Sequence, residues 1–280
     1  GDSLKIGKAE TTSVIPTLVV DGVGQEAKSG QVTAKNVEIV SGAVNVTSGV
    51  SVTGGVLETY ALNLSTTTSD GTNLSGLNTK KLTQSGTGAV YVTGDSGVTV
   101  TDASTLDVDT IRLISTIDTE DGASGLIAKK FIGNVTSESG ISLKTVSVES
   151  GGTLANSASS YLTIASGLTV GKSGEVTNSG TMTVNGLTNS GVFKSSGSSL
   201  TLNGVNVTAD LDVNSDGTTT SKGTLAANNL VVAEEAALNV TGSASVKSGV
   251  LTTTALNLGT AATAENQTPG LNVEELTCNY

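Results

Sequence analysis

The chain is poor in the residue types that most enzymes use for chemistry. It has no histidine and no tryptophan, and it has one cysteine, one methionine, two prolines, four tyrosines and two phenylalanines. The lack of histidine excludes His-based catalysis, His-ligated metal sites and haem held by His. A single thiol, Cys278, builds no internal disulfide framework, and we interpret it as incidental rather than as an intermolecular bridge. We therefore base the functional interpretation on the architecture of the fold more than on a chemical site.

Positive charge is also scarce. Fourteen basic residues, with Arg112 the single arginine, face 25 acidic ones, which gives a net charge of −11. Such a chain repels phosphate backbones, so nucleic acid and anionic membranes are not expected partners. No apolar run reaches the length of a membrane-spanning helix. The first residues lack the features of a signal peptide, and we expect the chain either to be mature after signal removal or to be part of something longer.

A short motif of an aliphatic, a polar and an aliphatic residue recurs along the chain. In a β-strand it places two side chains inward and one outward. No stretch shows a helical apolar stripe of useful length, and the alanine-rich stretch at 234–237 is too short to predict a helix. Examples of the motif begin at residues 44, 50, 62, 90, 98, 106, 141, 146, 162, 168, 182, 200, 205, 211, 238 and 256.

Turn signals separate these triplets. Ser-Gly and Asp-Gly dipeptides are frequent, and glycine reaches positive φ without a Cβ clash. The spacing predicts three short sides in a coil of about 20 residues, stacked on the next coil. We therefore predict an all-β fold, a right-handed parallel β-solenoid of roughly triangular section with about 14 coils, and a single domain over residues 1–280. An antiparallel sandwich is the alternative, but its strands are usually longer.

A long internal duplication overlies this pattern. Residues 42–83 align without a gap to residues 236–277, and 20 of the 42 positions are identical. The offset of 194 residues covers several coils, so it is a super-repeat laid over the coil repeat. The least regular segments, 118–125 and 260–270, are predicted to be loops that protrude from the rod.

The run from Ser173 to Phe193 reads SGEVTNSGTMTVNGLTNSGVF. Its Asn-Ser-Gly and Gly-aliphatic-Thr units resemble the passenger regions of bacterial autotransporter and haemagglutinin-type adhesins, and a similar composition and periodicity cover nearly the whole chain. The resemblance implies an exported β-helical rod on the cell surface, used for adhesion or self-association.

Few residues suggest chemistry. Asp107 and Asp109 share a face if their strand continues, which could bind a cation. We favour solvated side chains, with Arg112 offsetting the two carboxylates. Tyr60 and Tyr91 occupy positions where an outward side chain is expected, which allows a minor contact role, and packing at a corner is the favoured alternative. We predict no catalytic, cofactor-binding or metal-binding residue and no cofactor.

The resulting hypothesis is a non-catalytic, extracellular β-solenoid that serves as an adhesin or surface stalk at the bacterial outer membrane. Its expected partner is a receptor on a host or neighbouring cell, or another copy of the chain. Two alternatives stay open: a structural subunit that assembles end to end into a filament, and a β-helix enzyme acting on polysaccharide.

Overall fold

A computed structural model describes most of the central part of the chain and isolated strands on either side. The described residues are 3–6, 17–20, 31–33, 36–39, 43–46, 49–64, 76–101, 104–195, 199–207, 211–213, 224–227, 230–232, 237–246, 251–252, 256–258 and 270–278. Across these residues the regular structure is β-strand, without a helix. The all-β prediction is confirmed.

Thirty strands lie within the described residues, and most are three to five residues long. The first fifteen are β1 (Ser3–Ile6), β2 (Thr17–Val20), β3 (Gln31–Thr33), β4 (Asn36–Ile39), β5 (Ala43–Val46), β6 (Gly49–Thr53), β7 (Val56–Thr59), β8 (Leu62–Leu64), β9 (Gly76–Thr79), β10 (Lys81–Ser85), β11 (Ala89–Val92), β12 (Val98–Val100), β13 (Thr105–Asp107), β14 (Thr110–Leu113) and β15 (Gly125–Ala128). The rest are β16 (Lys130–Gly133), β17 (Ile141–Val148), β18 (Thr153–Asn156), β19 (Tyr161–Val170), β20 (Glu175–Asn178), β21 (Thr181–Asn189), β22 (Val192–Ser195), β23 (Ser199–Val207), β24 (Leu211–Val213), β25 (Thr224–Ala227), β26 (Leu230–Val232), β27 (Ala237–Val246), β28 (Leu251–Thr252), β29 (Leu256–Leu258) and β30 (Gly270–Cys278).

Each described strand pairing is parallel. In the central stretch, Tyr161 lies opposite Thr181, and Thr181 lies opposite Ser199, so the chain returns to the same place after 20 and then 18 residues (181 − 161 and 199 − 181). This return agrees with the spacing predicted from the triplets. In the described residues between these paired strands, the crossover consists of strands and turns and not of a helix.

The triplets alternate between core and solvent as period-two geometry requires. In β19, Leu162 and Ile164 are buried while Thr163 between them is exposed, and β17 and β21 follow the same alternation. The buried aliphatic residues join into one core that runs from Val50 to Leu202 in the described part of the chain. Phe131 and Phe193 lie in this core, so both phenylalanines contribute to packing.

Three pairs of strands break the chain order within the sheet. β9 lies between β5 and β8 although it follows β8 in the chain, and β15 lies between β11 and β14 in the same way. The first half of β30 likewise pairs with both β27 and β29. In each case the later strand lies between the earlier strand and a strand that precedes both in the chain.

These insertions have one length. The paired residues Leu62 and Leu77, Ile111 and Leu126, and Leu256 and Leu271 are each separated by 15 positions. Each inserted strand begins with Gly-Leu after an eleven-residue connection, at 65–75, 114–124 and 259–269. We call the blocks 65–79, 114–128 and 259–273 the insertions. They explain why Val56 lies opposite Ala89, 33 residues later: removing one insertion leaves 18.

Glycine is required where the second insertion enters the sheet. Gly125 has φ of +100°, and a Cβ at this position would collide with the carbonyl oxygen of Thr110 on the neighbouring strand. Only glycine allows the two backbones to approach so closely in that conformation.

The duplicated blocks also share their strand register. Ala43 lies opposite Gly76 in the first copy and Ala237 opposite Gly270 in the second. Val50 and Leu82 likewise correspond to Ala244 and Leu276. The super-repeat therefore conserves strand pairing together with sequence, including an insertion in each copy.

Candidate functional surface

A second, smaller apolar cluster lies on the outward side of the sheet. Ala89, Tyr91 and Ile127 form it, and Ile114, Ile117, Ala123 and Val56 pack against it. The connection at 114–124, here called the 114–124 loop, supplies three of these residues. Tyr91 points outward from β11, yet only 1% of its surface is exposed, because the loop covers it. Of the segment predicted to protrude, residues 118–124 form a loop, but Ala123 packs against the sheet and Gly125 begins β15.

Arg112 holds this loop to the next strands. Its Nε and Nη2 donate to the two carboxylate oxygens of Glu149 at 2.8 and 3.1 Å, and its Nη1 lies 3.5 Å from Asp121 on the loop. The Tyr91 hydroxyl lies 3.5 Å from Asp121 as well. A guanidinium that contacts a carboxylate through two nitrogens fixes its orientation, because the two donors and two acceptors match in geometry.

The protonation of these groups follows from the contacts. The hydrogen bond from Arg112 lowers the pKa of Glu149 below its ordinary value, in spite of an opposing effect of burial. Burial, followed by the charge of Asp121, raises the pKa of the Tyr91 hydroxyl. At neutral pH Arg112 and Glu149 therefore form a charged pair beside a neutral Tyr91 phenol, which is an arrangement suited to holding a loop in place.

Asp107 and Asp109, the two carboxylates considered as a cation site, are not the hydrogen-bond partners of Arg112. Asp107 and Asp109 are both exposed, but β13 ends at Asp107, so the strand that would place the two side chains on one face does not continue. Asp109 accepts a hydrogen bond from Lys144 Nζ at 2.7 Å. Arg112 bonds to Glu149 and Asp121, so the expectation that it offsets Asp107 and Asp109 is wrong. The described residues contain no group of three or more Cys, Asp or Glu side chains arranged to hold a metal ion.

A polar ladder lies inside the protein at one strand end. Asn156 Nδ2 donates to Asn178 Oδ1 at 2.8 Å, and Asn178 Nδ2 donates to Ser195 Oγ at 2.8 Å. All three side chains are buried. Neither asparagine is the middle residue of an aliphatic–polar–aliphatic triplet, and the alternation that buries Leu154 and Val176 turns both inward. Stacked neighbours one layer apart satisfy the amides, so burial leaves most of their polar atoms bonded.

The outward side of β17, β19, β21 and β23 carries in-register hydroxyl groups. Ser142, Thr163, Thr183 and Thr201 lie opposite one another in one row. A second row consists of Ser147, Thr169 and Thr188. We call these two rows the hydroxyl rows. Neighbouring members are spaced by about 4.8 Å, the distance between paired strands, so donors and acceptors repeat regularly.

The remaining residues singled out in the sequence lie apart from one another. Tyr60 is exposed at 42% and lies just after β7. Cys278 ends β30, and its side chain lies outside the described residues, as does most of the predicted loop at 260–270. Within the described ranges, no helix has the length and apolar character needed to cross a membrane.

Comparison with known proteins returns no relative. No family model matches the chain, and neither a curated protein nor a solved structure matches it.

Proposed function

We propose that the chain winds as a right-handed parallel β-solenoid and acts as a non-catalytic rod, an adhesin or stalk outside a bacterial cell. The in-register parallel pairing supports the winding, because the chain returns to the same ladder after about 20 residues once the insertions are removed. The three insertions also lower the number of coils expected from 280 residues. With 15 residues removed for each, about 12 coils remain, which gives a rod of about 55–60 Å.

The observation that carries the adhesive role is the pair of hydroxyl rows. Thr163 and Thr169 are well exposed, and their rows continue on the strands above and below. Each hydroxyl contributes only about 0.5–1.5 kcal/mol when it bonds a partner, so useful affinity comes from many contacts in register. A receptor on another cell, or the same face of a second copy, is the partner proposed for this surface.

Electron microscopy of the purified chain tests the shape. Separate slender particles of about 55–60 Å support the stalk. Long unbranched fibres would instead favour the filament-forming subunit, and round particles would contradict the winding.

A cell-binding assay tests the role of the hydroxyl rows. Beads coated with the protein are expected to bind cells or to cluster with one another. The double variant Thr163→Lys, Thr183→Lys places bulky like charges along one row and is expected to abolish either effect. The control is Thr116→Lys, Thr136→Lys, which adds the same charge at exposed positions away from the rows. Equal loss in both variants would argue against docking through the rows.

A further inference from the structure

The chain contains two Asn-Gly dipeptides, and they lie directly opposite each other. They are Asn185-Gly186 in β21 and Asn203-Gly204 in β23. The register pairs Asn185 with Asn203 and then continues with Leu187 and Val205, so neither glycine is a partner in the ladder. Gly186 and Gly204 have φ of +76° and +81°. Both dipeptides therefore lie at a local bend within a long strand.

We propose that Asn185 is a site of spontaneous deamidation, activated by the neighbouring Asn203. In this reaction the main-chain nitrogen of Gly186 attacks the side-chain carbonyl carbon of Asn185 and forms a five-membered imide. The side-chain amide nitrogen leaves as ammonia with the proton lost by Gly186. Water then opens the imide at either carbonyl and leaves aspartate or isoaspartate.

The contacts of Asn185 favour the first step. Asn203 Nδ2 donates to Asn185 Oδ1 at 2.7 Å, so a donor already lies where negative charge develops as the nitrogen attacks. Asn185 Nδ2 donates to the carbonyl oxygen of Ala165 at 3.1 Å, which holds the amide in one orientation. Gly186 is exposed, and an added Cβ would meet no atom closer than 3.8 Å, so its backbone is accessible.

Outside this pair, the asparagines of the described chain lack the following glycine. Asn156 and Asn178 are buried, and each is followed by serine, whose Cβ crowds the attacking nitrogen. Asn134 is exposed but is followed by Val135, which is bulkier still. These residues provide internal controls within one molecule.

Deamidation would change the surface of the rod. A carboxylate at 185 faces the amide of Asn203, and a second conversion would place two carboxylates directly opposite each other on paired strands. Like charges in that position are destabilising. Isoaspartate also adds a main-chain carbon atom to β21. We therefore expect an aged protein to loosen first at this bend.

Peptide mapping by mass spectrometry tests the proposal on the folded, full chain. After incubation in mildly alkaline buffer, the peptide with Asn185 should gain the mass difference between an amide and an acid, whereas the peptide with Asn134 should not. Fragmentation that distinguishes isoaspartate should find both products at 185. Conversion at Asn185 that occurs only in urea, and not in the folded chain, would overturn the proposal.

Two variants test the activating contact. Asn203→Ala removes the donor to Asn185, and Asn203→Asp keeps the shape but presents an acceptor, so both should slow conversion at 185 several-fold. Circular dichroism identifies a variant that fails to fold, and the other variant then serves as the test. An unchanged rate at 185 in a folded variant would refute activation by Asn203.

Discussion

Replacing Gly125 by alanine tests the inserted-strand arrangement directly. Residue 125 begins β15 with φ of +100°, a conformation that costs an L-amino acid about 1–2 kcal/mol. The new Cβ would also collide with the carbonyl oxygen of Thr110, so β14 and β15 must separate at that end. Three residue pairs join these strands, and loss of one or two hydrogen bonds costs about 1 kcal/mol each. We expect Gly125→Ala to lower the free energy of unfolding by about 3 kcal/mol.

Gly122→Ala is the matched control for this substitution. Gly122 lies in the same loop with φ of +69°, but no atom lies within 4 Å of the position that its Cβ would take. It should therefore cost only the backbone strain, about 1–2 kcal/mol. Urea titration measures both variants, and hydrogen exchange at residues 111–113 and 126–128 localises the effect, since repeat proteins need not unfold in one step. Equal destabilisation by the two substitutions would refute the close approach of β14 and β15.

Three further predictions concern the buried ladder, the loop and its ion pair. Asn156 Oδ1 is buried without a hydrogen-bond partner among the described residues, and the Cβ of a residue at 133 would lie 3.6 Å from it. Because the hydroxyl of a serine at 133 can donate to this oxygen, Gly133→Ser should be more stable than Gly133→Ala by about 1 kcal/mol in urea titration. Tyr91→Ala should cost about 3–5 kcal/mol and expose the 114–124 loop to protease, whereas Tyr91→Phe, which loses only long contacts to Asp121 and Ala123, should cost less than about 1. Arg112 lowers the pKa of Glu149, so the pair stabilises the fold above the ordinary glutamate pKa. This contribution disappears as pH falls through the lowered pKa of Glu149. In Arg112→Met, NMR titration should find Glu149 protonating at a higher pH than in the parent protein.

The strands themselves could be predicted because their signal is local. An aliphatic–polar–aliphatic triplet such as Leu162-Thr163-Ile164 specifies two inward side chains and one outward side chain, whatever lies around it. The same parity places Asn156 and Asn178 inward, two positions after Leu154 and Val176. The alternation alone therefore indicates that both amides face the core. Burial of these amides becomes acceptable only when the next layer supplies a partner, and the register alone reveals that partner.

The insertions could not be predicted from local pattern. In the sequence, Leu62-Asn63-Leu64 and the strand at Gly76 resemble two consecutive strands of one coil. Nothing within them indicates that β9 pairs with β8 and lies between β5 and β8. The same holds for the cover over Tyr91, whose contact at Asp121 is 30 residues away, and for Glu149, which is 37 residues from Arg112. Contacts over such separations depend on the register. Comparison of 62–79 with 111–128 as a repeated unit could have indicated the insertions, because both place Gly-Leu after eleven residues.

The proposed winding accounts for the point at which strand pairing is interrupted. The strands β3, β6, β10 and β13 form a separate four-stranded sheet, whereas the other paired strands belong to one large sheet. Each insertion adds one strand spacing, about 4.8 Å, to the ladder that it enters, and β9 and β15 enter ladders other than that of β13. The third side of the rod is then shorter than its neighbours by one layer, so its strands must separate somewhere. They do so beside β13, which has no ladder pairing with Ile141–Leu143 in the described chain, and the ion pair between Asp109 and Lys144 spans the break.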